Sequence, residues 1–139
     1  MIEAPPALEL YDSLIESTGT ARRAELYEAA FHGLAGALHA AEVAGEVDRV
    51  RYVTQQAAEI HDWLSRHHPR HQLGADSARL RGQTDVFSTL IVHTQSIVTR
   101  LRAAKAVERA RAQNAVTRHL IPVTPPDTPD RGGSRQAQS

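Results

Sequence analysis

The chain reads as all-α: an antiparallel helical bundle of three long helices plus a short N-terminal one, followed by a disordered C-terminal tail. Three observations carry that expectation. Apolar residues recur at helical spacing, most cleanly at Val43, Val47, Val50, Val53, Ala57, Ile60 and Leu64. Apolar content is 41% with only 4% aromatic residues, which suits close-packed helices better than a sheet sandwich. The length of 139 residues matches one domain with a modest core.

Taken in order, residues 1–6 form a leader that closes at Pro5-Pro6. A first helix is expected over about Ala7 to Ser17, contributing Leu8, Leu14 and Ile15. Ser17-Thr18-Gly19-Thr20 then breaks it, and Thr20 is placed to cap the next helix. That second helix is expected from about Ala21 to Ala44. Leu26, Ala30, Leu34, Ala37 and Ala41 make its stripe, widened by Tyr27, Phe31 and Leu38. Gly33 and Gly36 inside it cost up to about 1 kcal/mol each against alanine, and suggest either close approach of another helix or a weak spot.

Gly45 suits the position just past a helix C-terminus. A third helix is expected over about Glu46 to His67. Its β-branched valines disfavour helix slightly, but their period outweighs this. Helices two and three are expected to form an antiparallel hairpin. Residues 66–77 read as a loop, from Pro69, Gly74 and the capping pair Asp76-Ser77. Gly82 interrupts the next segment and Thr84 recaps it. The last helix reaches about His119, burying Phe87, Leu90, Ile91, Thr94, Ile97, Val98 and Leu101. Beyond Leu101 the stripe fades to alanine among arginines, so this stretch is expected to project or to meet a partner. The bundle domain covers 7–121. Residues 122–139, with four prolines and two glycines, read as a disordered tail.

By its Ala37, Gly45 and Ala57 spacing, the segment Ala37 to Leu64 resembles one tetratricopeptide-type helical hairpin. The resemblance covers a single unit without that repeat's Trp-Leu-Gly-Tyr positions. Such units need about three copies to be stable. The likeness therefore implies hairpin geometry and nothing more.

Charge is sorted along the chain although the total is zero. Residues 1–48 hold nine acidic residues and two arginines, a balance of −7. Residues 100–119 hold Arg100, Arg102, Lys105, Arg109, Arg111 and Arg118 against Glu108, a balance of +5. These six cations form a candidate partner or nucleic-acid surface. Arg102, Lys105 and Arg109 fall at i, i+3 and i+7 on one stripe, suited to a few phosphates. No aromatic residue interleaves them, so base stacking is unsupported. The alternative is pairing with acidic helices one and two, within a subunit or across a dimer.

Eight histidines stand out. His61, His67, His68 and His71 crowd one helix end and its loop, and clustered imidazoles can bind zinc, nickel or copper. Asp62 could assist. The competing reading is a solvated loop beside a helix C-terminus, where histidine opposes the dipole. Glu28, His32, His39 and Glu42 share a face of helix two, and facing Glu59, His61 and Asp62 they would make a candidate metal centre. Their order never makes the Glu-x-x-His of di-metal bundles, so Glu28/His32 reads as an ordinary i,i+4 pair. Arg49, Arg51, Tyr52, Gln55 and Gln56 are DNA-reading types, and Ala41-x-x-x-Gly45 resembles a helix-turn-helix turn. Arg51 stands where that motif needs an apolar residue.

The chain has no cysteine, which removes disulfides, thiolate sites and a cysteine nucleophile. MIEAPPALEL lacks the basic and apolar regions of a secretory signal. No apolar run approaches the roughly 18 residues of a membrane span. No hydrolase, nucleotide-binding or zinc-protease motif occurs. The expectation is a cytoplasmic, non-enzymatic adaptor or regulatory protein without a cofactor, self-associating as a homodimer or binding another protein. A nucleic-acid-associated regulator and a metal binder are the alternatives.

Overall fold

The computed structural model describes residues 4–120, with side chains from 6 to 118. The expected tail at 122–139 and the start of the leader lie outside the described residues. Within them the chain is all-α, with five helices and no strand: α1 (Ala4–Arg23), α2 (Tyr27–Ala44), α3 (Val47–His67), α4 (Ala75–Leu80) and α5 (Val86–Leu120). The chain divides into two units, residues 1–102 and 103–139.

In the first unit α1 packs on α2, α2 on α3 and α3 on α4. The core draws Tyr11 from α1, Leu34 and Leu38 from α2, Val53, Ile60 and Leu64 from α3, and Phe87 and Ile97 from α5. Each large apolar side chain buried this way contributes about 1.5–3 kcal/mol. The expected apolar face of α5 is buried: Phe87, Thr94 and Ile97 fully and Leu90 nearly so, with Ile91, Val98 and Leu101 packed beside them. Thr94 is satisfied inside this core. Its hydroxyl donates to Ile91 O (2.6 Å) and accepts from Thr54 Oγ1 (2.7 Å).

The α2–α3 turn forms at Gly45 as expected. Its φ of 70° is left-handed. Gly45 N donates to Glu42 O and Glu46 N to Ala41 O, both 3.0 Å, which closes the last turn of α2. The expected close approach at Gly33 is also present. A Cβ there would overlap Thr18 Oγ1 of α1, and one at Gly36 would press on Leu14 Cδ1 at 3.0 Å.

Four boundaries differ from expectation. Helix α1 begins at Ala4 rather than Ala7, because Pro5 and Pro6 are tolerated in a first turn, whose N–H groups have no partner in any case. The break at Ser17–Thr20 does not occur, because the hydroxyls bond back into the helix. Thr18 Oγ1 donates to Leu14 O (2.7 Å) and Thr20 Oγ1 to Glu16 O (3.3 Å). Thr18 is buried against α2, so packing overrides the local preference. The break falls instead at Glu25, whose φ is 60°. Glu25 N donates to Arg22 O (3.0 Å) and Leu26 N to Ala21 O (2.8 Å), the same closure that Gly45 makes. The second helix therefore starts at Tyr27, and Leu26 stands outside its stripe, 58% exposed. The expected loop carries α4, whose first residue follows Gly74 rather than a capping Asp76 or Ser77. The α5 cap is Asp85, not Thr84: Asp85 Oδ2 accepts from Ser88 N at 3.0 Å.

The described part of the second unit is the later stretch of α5. Every residue from Ala103 to Arg118 is exposed. Among the described residues no helix is long and apolar enough to cross a membrane.

Candidate functional site

Cross-helix ion pairs in the first unit show where charge is already committed. Arg100 of α5 donates to Glu42 of α2 at 2.7 Å. Arg49 of α3 reaches Asp12 of α1 at 3.3 Å and lies 5.1 Å over the Tyr11 ring. Arg22 of α1 donates to Gln56 (2.8 Å) and pairs with Glu59 (3.4 Å) of α3. Gln55 donates to Glu59 as well, at 3.2 Å. Of the DNA-reading types on α3, Arg49, Gln55 and Gln56 are thus held by neighbours. Tyr11 is buried with its hydroxyl donating to Arg49 O (3.2 Å). Burial pushes its phenol up to about 12, against the opposing pull of the Arg49 charge.

The four clustered histidines separate into different environments. His61 lies 3.6 Å from Asp62 and, through Nε2, 3.6 Å from Asp85. The His67 ring stacks on Trp63 with centroids 3.8 Å apart. His68 and His71 pack against Tyr27 at 6.3 and 5.5 Å. His71 Nδ1 also accepts from Leu73 N (3.0 Å). Among the described residues no three His, Asp or Glu side chains converge on one point. On α2, His32 and Glu28 form an i,i+4 contact of 3.9 Å with both side chains more than two-thirds exposed. Glu42 belongs to Arg100, and His39 is exposed.

Asp85 is a residue that the sequence pattern did not single out. It is 5% exposed, and its carboxylate also accepts from Ser88 Oγ at 2.7 Å. A buried carboxylate needs such partners. The Asp85-x-x-Ser88 spacing just before the apolar run was the available signal. A second unforeseen feature is an open groove of about 520 Å³ beside α1 and α3, lined by Ile15, Arg22, Tyr52, Ile60 and Trp63 among others.

The six cations of the expected partner surface divide by environment. Arg100 is engaged with Glu42. Arg102, Lys105, Arg109, Arg111 and Arg118 are exposed, and no ion pair among the described residues holds them. At about 100° per residue, Lys105 and Arg109 fall on one side of α5 while Arg111 and Arg118 fall on the other. Val107 and Val116 stand exposed among them, at 48% and 54%. Comparison with known proteins returned nothing: no family model, curated protein or solved structure matches the chain.

Proposed function

We propose a non-enzymatic protein–protein interaction module that self-associates through the late stretch of α5, with the helices of its core packed antiparallel. The observation that supports this reading is the exposure of every α5 side chain from Arg102 to Arg118, in a helix whose earlier part is buried. Helices in proteins draw most of their stability from burying one face, and isolated ones below about 12–15 residues are marginal in water. In this reading a second copy covers the face that this stretch leaves exposed.

A second copy supplies complementary charge. The acidic residues of 1–48 and the basic residues of 100–119 balance −7 against +5. A two-fold dimer would present each kind of surface to the other twice. Exposed pairs are worth only about 0–1 kcal/mol each. Their role here is to choose partner and orientation, while exposed Val116, on the same side as Lys105 and Arg109, adds apolar area.

The opposed placement of Lys105/Arg109 and Arg111/Arg118 argues against a nucleic-acid regulator. One duplex face would meet about two or three of these cations. Each neutralised phosphate contributes only about 0.9 to the salt slope, so such binding would be weak. Sedimentation velocity of the full chain at low and high salt tests the proposal. The expected result is a dimer at low salt that dissociates as salt rises. A monomer under all conditions would overturn it.

A further inference from the structure

The self-association reading leaves open where the second copy's α5 docks. Both acidic helices one and two were expected seats, and one of the two carboxylates of α2 is committed. Glu42 holds Arg100 at 2.7 Å, which leaves the exposed Glu28, 3.9 Å from His32, as a lone carboxylate rather than a stripe. Helix α1 is different. Glu9, Asp12 and Glu16 are all exposed. They fall at i, i+3 and i+7, within about 60° of one another on the helix. Among the described residues no ion pair holds Glu9 or Glu16, and the Asp12 side chain stays 70% exposed beside Arg49.

This spacing is the same as that of Arg102, Lys105 and Arg109, which are also i, i+3 and i+7 and also exposed. In each triplet the outer two residues lie about 10.5 Å apart at 1.5 Å per residue. The outer pairs therefore match whether the two helices run parallel or antiparallel. Only the middle pair, Asp12 with Lys105, shifts by about 1.5 Å between the two directions, within reach of a lysine side chain.

We propose that the Glu9–Asp12–Glu16 face of α1 is the docking surface for the Arg102–Lys105–Arg109 face of a second copy. This inference rests on the self-association reading. It adds a seat and a register. Two-fold symmetry makes the exchange reciprocal, so each dimer holds the contact twice. Asp12 carries the Arg49 contact as well, so Glu9 and Glu16 are the positions to test.

The experiment compares four full-length chains by sedimentation velocity at low salt: the native protein, Glu9→Arg/Glu16→Arg, Arg102→Glu/Arg109→Glu, and the chain carrying all four changes. Circular dichroism confirms that each is helical. Each double variant is expected to dimerise at least tenfold more weakly than the native chain, and the fourfold swap to recover the native affinity. A native-like Glu9→Arg/Glu16→Arg dimer would overturn this seat. If Arg102→Glu/Arg109→Glu still dissociates, self-association through α5 stands without it. Failure of the swap to recover would also overturn it. A native chain that never dimerises would remove both proposals together.

Discussion

The two stretches of α5 share one secondary structure and differ in what sustains it. From Phe87 to Ile97 the helix places Phe87, Leu90, Thr94 and Ile97 in the core, three of them with no exposed surface. From Arg102 to Arg118 nothing is buried. The first stretch is helical because tertiary packing rewards it. The second has only the intrinsic preference of alanine, arginine and glutamine for helix. Substitutions should therefore act on different properties. Those in the first stretch should act on folding, and those in the second, on the proposed self-association, should act on assembly.

The largest expected effect lies in the buried stretch. Phe87→Ala should cost about 3–5 kcal/mol in chemical denaturation, because it removes a fully buried ring that meets Phe31 edge-on at 5.8 Å. Val107→Ser, 48% exposed in the native chain, should change unfolding of the monomer by no more than about 0.5 kcal/mol. Equal losses from both would abolish the distinction.

Gly33→Ala tests the packing that holds α1 to α2. Its added methyl meets the buried Thr18 hydroxyl, which is already committed to Leu14 O. A loss of about 1–3 kcal/mol is expected in the same denaturation measurement. An unchanged midpoint would mean that α1 is less closely seated than described. A smaller effect, of opposite sign, is expected at the end of α1. Glu25→Gly relieves a left-handed residue and should raise stability by about 0.5–1 kcal/mol. Destabilisation would show that the Glu25 side chain contributes more than its backbone costs.

Glu25 also shows what the sequence could and could not reveal. Glu25 and Gly45 end their helices by the same pair of backbone hydrogen bonds. Glycine announces such an end, since it tolerates positive φ without a Cβ clash. Glutamate carries no such signal, so the boundary was sought several residues too early, among small polar residues. Those residues remained helical because Thr18 is buried against Gly33, a contact between helices that no local pattern encodes. The periodic faces of α3 and of early α5 were legible because burial repeats with the helix period. Val43 is the exception on that stripe, 51% exposed at the end of α2.

The candidate site was legible to the same degree. The arginine-rich stretch after Leu101 and the fading of its apolar stripe identified the exposed helix. That Arg100 would be drawn to Glu42, 58 positions away, was not readable from spacing. Nor was the separation of the four histidines, because Tyr27 and Asp85 reach them through the fold, although the Trp63–His67 stack is a local i,i+4 pair. Charge sorting thus resolves into two parts. Some of it links helices of the first unit, and the remainder stands on exposed faces of α1 and α5.

Assembly through the basic stripe is decided by the solution mass of the full-length chain carrying Arg102→Glu, Lys105→Glu and Arg109→Glu, measured by light scattering at low salt beside the native protein. The expected outcome is a native dimer and a monomeric variant whose helical content by circular dichroism is unchanged, with an unfolding midpoint lower only by the lost association. A variant that assembles like the native chain would refute this assembly, and the basic stripe would then be surface charge without a role in it.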